Sequence, residues 1–210
     1  RAVAAGIFSN AGQVCNAGSR VIVEEGIREE LLERVAKIAA ELKPGDPLDP
    51  ATRLGPVVDD TQMRRILQYI DIGQGEGARI LTGGKRVLED TNGFYLEPTV
   101  FDGVASRMRI AQEEIFGPVL AAITVSGYEE AVEVANDTVY GLAASIWTDD
   151  LRKAHRASRV LKAGVVWVNC FDKGSMSAPF GGFKQSGFGR DKSFHALEKY
   201  TDLKSVWIAH

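Results

Sequence analysis

Residues 119–169 read VLAAITVSGYEEAVEVANDTVYGLAASIWTDDLRKAHRASRVLKAGVVWVN, and the alternation within this stretch decides the fold class. Val119–Val125 is a near-continuous apolar run, the pattern of a strand covered on both faces. A helix is expected over 128–136, a strand over 143–148, a helix over 149–161 and a strand over 164–169. Strict strand–helix–strand repetition predicts an α/β fold: a mainly parallel twisted sheet with helices on both faces.

Upstream of this stretch the same logic holds. Residues 20–24 (RVIVE) form a short β-branched strand. A helix follows over 26–42, with Leu31, Val35, Ile38 and Leu42 at helical spacing and Glu29, Glu30, Glu33, Arg34 and Lys37 on the wet face. The run KPGDP at 43–47 ends it. Asp60 or Thr61 can cap a further helix that buries Met63, Ile66, Leu67 and Ile70. Strands are expected at 79–82 and 99–101, with a loop or hairpin between them. Residues 1–19 read as a small-residue helix broken at 10–12. Downstream, residues 170–192 have no periodicity. A short helix at 193–200 leads to a last strand at 203–209, whose unpaired groups call for another sheet edge.

Composition narrows the function. Apolar residues make up 45% of the chain and charged residues 25%, which is ordinary globular usage. The net charge of −3, with signs interspersed, supplies no basic stripe for nucleic acid and no basic amphipathic helix for a membrane surface. No apolar run approaches the roughly 20 residues that span a bilayer. Cys15 and Cys170 lie far apart in sequence, without C-x-x-C spacing, so a disulfide framework is not expected and a reducing cytoplasm is.

Residues 73–78 (GQGEGA) match the spacing of a dinucleotide fingerprint, but a helix precedes and a strand follows, the reverse of the order that would aim a helix N-terminus at a pyrophosphate. No His, Cys and carboxylate cluster has metal-ligand spacing, so no metal site is expected. A Cys/His hydrolase would need His155 or His195 beside Cys15. Cys15 itself sits in SNAGQVCNAGSR (9–20), among glycines and amides where a packed core would supply Leu and Val. Gly12 permits close backbone approach. The positive end of a helical turn favours a thiolate, and free N–H groups there could stabilise an oxyanion. Residues 113–118 (EEIFGP) enter the apolar strand. A carboxylate followed two residues later by an aromatic could grip a ribose diol while the ring contacts a flat heterocycle. The third segment is PFGGFKQSGFGR at 179–190, which by itself reads as a glycine-rich loop.

Taken in this order and at these separations, the three segments resemble the aldehyde dehydrogenase superfamily over essentially the whole chain. The resemblance implies that Cys15 attacks an aldehyde to give a thiohemiacetal, that hydride passes to NAD or NADP to leave a thioester, and that water releases the acid. It implies that the Cys15 N–H contributes to the oxyanion hole, and that Glu114 and Phe116 hold the nicotinamide ribose and ring. Val14, Asn16 and the segment 171–175, including Phe171, Asp172 and Lys173, would line the aldehyde pocket. The last strand would join a neighbouring subunit in a homodimer or homotetramer. Residues 1–185 would then be the catalytic domain and 186–210 a C-terminal oligomerisation segment. The water-activating Glu and the nucleotide-binding domain would lie before Arg1, so the chain is expected to be inactive alone. Within the family, residues 176–180, 189–193 and 195–199 are most similar to the γ-glutamyl-γ-aminobutyraldehyde type. Two other readings remain open: a non-catalytic α/β module that self-associates, and a cysteine hydrolase.

Overall fold

In the computed structural model, which describes residues 1–210, packing divides the chain into two compact units, residues 1–138 and 139–210. The first holds α1 (Ala2–Phe8), β1 (Arg20–Glu24), α2 (Glu25–Glu41), α3 (Asp60–Gly75), β2 (Arg79–Thr82), the hairpin β3 (Arg86–Val87) and β4 (Tyr95–Leu96), β5 (Thr99–Asp102), α4 (Arg109–Gln112), β6 (Val119–Val125) and α5 (Tyr128–Asn136). Its sheet has the order β1-β6-β5-β2. The first three strands are parallel, with Arg20 opposite Ala121 and Thr99 opposite Val119, and β2 closes the edge antiparallel to β5.

Strand periodicity sorts the core into two layers. Phe101, Val119, Ala121 and Ile123 point to one face, where they meet Ile66 and Ile70 of α3 and Ile110 of α4. Val100 and Leu120 point to the other, against Ile7 and Phe8 of α1 and Val35 and Ala39 of α2. Helices thus cover both faces, and every residue of β6 except Thr124 is buried. Each fully buried aliphatic side chain contributes about 1.5–3 kcal/mol, so this central strand anchors the unit.

Polar groups close the sheet's edges. Asp102, 2% exposed at the end of β5, receives Arg79 Nη2 at 2.7 Å and Arg28 Nε at 3.1 Å. Burial by itself would raise this carboxyl, but the hydrogen bonds from Arg79 and Arg28 and from the Gly103 N–H hold it below its ordinary value. Arg20 of β1 caps the C-terminus of α5, donating to the carbonyl of Ala135 at 3.2 Å.

The second unit is built on β7 (Ala143–Ile146) and β8 (Val165–Val168), a parallel pair connected by α6 (Leu151–Val160). Asp150 caps that helix, accepting from the N–H of Arg152 at 2.8 Å. The two strands pair in parallel, with Ala143 opposite Val165. One cap and one helix start differ from the sequence reading. Asp59, one residue earlier than expected, caps α3 through the Gln62 N–H at 2.8 Å. The helix expected at 149–161 starts at Leu151, after its cap.

Residues 203–209, expected as a strand, lie in no ladder. A strand exists through its pairing, and no strand of this chain pairs with this segment. Leu203 and Trp207 stand exposed.

Candidate active site

Helix α1 stops at Phe8 because the next turn reverses hand. Asn10, Ala11 and Gly12 have φ of 50°, 54° and 71°. A left-handed conformation costs a non-glycine residue about 1–2 kcal/mol. Burial of Ala11 in the core offsets it, as does a reciprocal pair of hydrogen bonds: Asn10 Nδ2 donates to the Gln13 carbonyl and Gln13 Nε2 to that of Asn10, each at 3.1 Å. Gln13 also anchors the turn from outside, its Oε1 accepting from the Val58 N–H at 2.8 Å.

Cys15 follows in a turn closed by the Ala17 N–H on the Val14 carbonyl at 2.9 Å. Its thiol is free and exposed, Val14 is exposed and Asn16 half-buried. The sequence reading placed Cys15 at the start of a helical turn. The turn continues into no helix, so the helix-end argument for a thiolate falls away. The Cys15 N–H has no acceptor within the chain.

The second segment meets this turn through main chain. A methyl group at Gly12 would stand 2.0 Å from the Gly117 carbonyl oxygen, so only glycine permits the approach. Cys15 is therefore three residues from that contact and Phe116 one. The adjacent carboxylates differ in their engagement. Glu113 takes Arg109 Nε at 2.7 Å and Nη2 at 2.9 Å, and Tyr69 Oη at 2.6 Å. Those hydrogen bonds, from Arg109 first, pull its carboxyl down to about 2. Glu114 is exposed, and only its carbonyl is held, by Arg65 Nη2 at 3.1 Å. Phe116 has φ of 57° and an exposed ring, and Gln62 Nε2 donates to the carbonyls of both Ile115 and Phe116 at 2.9 Å.

Val14, Cys15, Asn16, Glu114 and Phe116 thus all belong to the first unit, whereas Phe171, Asp172 and Lys173 belong to the second, just past β8. There the Phe171 ring lies 5.1 Å from that of Trp167, and Trp167 Nε1 donates to the Lys173 carbonyl at 2.7 Å. Asp172 and Lys173 are exposed. The glycine-rich third segment folds back on itself: Phe180 and Asp191 exchange main-chain hydrogen bonds, and the Arg190 guanidinium covers the Phe183 ring at 5.2 Å. A methyl group at Gly164 would meet the Gly181 carbonyl oxygen at 1.7 Å, so this segment packs against the start of β8 through bare main chain.

Other candidates resolve simply. Gly73 and Gly75 end α3 and β2 follows, so residues 73–78 are a helix–strand turn. His195 Nδ1 lies 3.4 Å from Glu198, and His155 is exposed on α6. No group of three or more His, Cys, Asp and Glu residues could hold a metal ion. No helix is long and apolar enough to cross a membrane. Sequence reasoning missed Gln62, Arg65 and Tyr69, polar or amphipathic residues at i, i+3 and i+7 on α3; that spacing marks one helix face, but nothing local says that a loop lies along it.

Residues 1–206 match the model of the aldehyde dehydrogenase family. The chain belongs to that family. It is 48% identical over 208 residues to the NADP/NAD-dependent aldehyde dehydrogenase PuuC of Escherichia coli, covering 99% of this chain and 41% of that protein. Among solved structures, a Pseudomonas syringae indole-3-acetaldehyde dehydrogenase in complex with NAD+ and IAA superposes with a TM-score of 0.95 at 56% identity, covering 99% of this chain and 42% of its own. A γ-glutamyl-γ-aminobutyraldehyde dehydrogenase from Burkholderia cenocepacia gives 0.93 at 53% identity, covering 97% and 41%. The chain spans about 40% of the length of these aldehyde dehydrogenases.

Proposed function

We propose that the protein carrying this chain oxidises an aldehyde to a carboxylic acid with NAD or NADP, with Cys15 as nucleophile. The observation that carries this reading is the free, exposed Cys15 thiol on a turn that main-chain contact at Gly12 and Gly117 holds beside the Glu114–Phe116 segment. In the reaction, Cys15 Sγ bonds to the aldehyde carbon, and the carbonyl oxygen gains negative charge that the unpaired Cys15 N–H is available to receive. Loss of hydride from that carbon leaves a thioester. Water then adds, the C–S bond breaks, and acid and thiol are released.

NAD(P), when bound, supplies the hydride acceptor. The residues present fit it: the unengaged Glu114 carboxylate suits a ribose diol, and the exposed Phe116 ring suits a flat nicotinamide. Glu113, tied to Arg109 and Tyr69, is the less suited of the two carboxylates. Val14 and Asn16 flank the nucleophile and are proposed to line the aldehyde pocket.

The substrate class follows from resemblance. Residues 176–180, 189–193 and 195–199 favour a γ-glutamyl-γ-aminobutyraldehyde type. Among solved structures, relatives named for indole-3-acetaldehyde and γ-glutamyl-γ-aminobutyraldehyde lie at 56% and 53% identity. The exposed Leu203, Val206, Trp207 and Ile208 support self-association through residues 203–209 into a dimer or tetramer. Residues 1–185 and 186–210 are accordingly proposed as a catalytic part and an oligomerisation part. Two unpaired cysteines favour a cytoplasmic setting.

Thiol labelling tests the core of this reading. A soft electrophile should modify Cys15 well ahead of Cys170, and Cys15→Ser should abolish both aldehyde-dependent NADH formation and covalent capture of the aldehyde. Equal labelling of the two thiols, or turnover by Cys15→Ser near the parent rate, would overturn it.

A further inference from the structure

We infer that Gln62 is a positioning residue for the cofactor-binding segment: its amide locks Phe116 in the left-handed conformation that directs the ring. The inference rests on the reading of Glu114 and Phe116 given above and adds a residue to it.

Successive carbonyls point the same way only when the residue between them has helical-sense backbone, and they point oppositely when it is extended. A single NH2 group carries two hydrogens and can serve two acceptors that face it together. Gln62 Nε2 reaches the carbonyls of Ile115 and Phe116 at 2.9 Å each, and these are the two that bracket the φ and ψ of Phe116. An extended Phe116 would turn one of them away. The observed φ of 57° is disfavoured for an aromatic residue, so the conformation needs support from outside the segment.

Gln62 is suited to give it. It lies in the first turn of α3, with its own N–H held by the Asp59 cap at 2.8 Å, so the amide projects from a fixed helix end. The neighbouring positions of that face continue the grip in antiparallel order: Arg65 holds the Glu114 carbonyl at 3.1 Å and Tyr69 the Glu113 carboxylate at 2.6 Å. Ile66, one turn on from Gln62, fills the space beside Gly117. Release of Phe116 to a right-handed or extended backbone would swing its Cα–Cβ bond and carry the ring away from the plane it now offers.

The test uses Gln62→Met, which keeps the length and removes the donors, and Gln62→Glu, which sets acceptor against acceptor. Both are made in the protein that contains this chain. Two quantities are read: the calorimetric Kd for NAD+, and hydrogen exchange of the 113–117 peptide without cofactor. We expect Kd to weaken about tenfold and exchange to quicken at least about tenfold, with the Tm moved by only a few degrees. If one variant does not fold, the other carries the comparison. Unchanged Kd in either folded variant overturns the inference, even if exchange quickens, because Gln62 would then serve the loop and not the ligand. Glu114→Ala and Phe116→Ala report separately on the underlying reading: if neither weakens NAD+ binding, the assignment of the segment to the cofactor fails, whatever Gln62 does.

Discussion

Arg109 grips Glu113 through both carboxylate oxygens, at 2.7 and 2.9 Å, and so separates it chemically from Glu114, its neighbour in sequence. One acid of the pair is consumed by structure, and the other is left to face solvent or a ligand.

This separation gives a pH prediction. Glu113 has a folded value of about 2 against an ordinary 4.5. A depressed carboxyl stabilises the fold fully above its unfolded value and loses that contribution as protons bind. The stability due to Glu113 should therefore be present above about pH 4.5 and decline toward pH 2. Urea melts of Glu113→Gln across this range should lack that component, whereas Glu114→Gln should retain it and instead lose cofactor affinity.

Gly12→Ala should be costly for two independent reasons. The methyl group would collide with the Gly117 carbonyl, and φ of 71° is strained for any L side chain. Together these predict a loss of about 3 kcal/mol, read from denaturant midpoints. The Cys15 labelling rate should change with it, since the turn and the segment can no longer touch.

Asp102 offers a contrast between partners. Its side chain is 3% exposed, while that of Arg79 is 71% exposed and that of Arg28 31%. Removing the buried member strips two guanidiniums of their acceptor, but both retain access to water. Asp102→Ala should therefore cost about 2–3 kcal/mol, less than a fully buried pair. Arg79→Ala should cost under about 1 kcal/mol. Equal costs in equilibrium unfolding would mean that Arg79 is better shielded than its exposure implies.

Removal of residues 203–210 should lower the assembly mass. Light scattering on the protein containing this chain, with and without the segment, should read a dimer or tetramer falling to a monomer. An unchanged mass would assign self-association to another surface.

How much could be read from sequence depended on how local the cause was. β1, β2, β6 and α5 fall where periodicity put them, because alternation and amphipathicity are properties of the segment itself. The cap of α3 was missed by a residue: adjacent acids at 59 and 60 offer two candidates, and only the backbone angles choose Asp59. The same limit hid the surroundings of Cys15. Glycines and amides announced the break at 10–12, and the helix before it is there as α1, but the left-handed run leaves residues 13–19 outside any helix. The grip of α3 on residues 113–117 was illegible for another reason. It joins positions about 50 apart in sequence, and no composition rule pairs a glutamine with two carbonyls. The strand expected at 203–209 is not formed, because no strand of this chain pairs with that segment.

The reversed hand at Asn10, Ala11 and Gly12 has a practical corollary for protein engineering. Codon randomisation of these three positions should return a narrow alphabet: glycine, asparagine and aspartate at position 10, and alanine or glycine at the buried position 11, with β-branched residues purged. Only glycine should survive at the third position. The exposed Val14, next to the proposed nucleophile and beyond the reversal, should tolerate far wider diversity, which makes it the place to test by library selection whether the proposed aldehyde preference can be retuned.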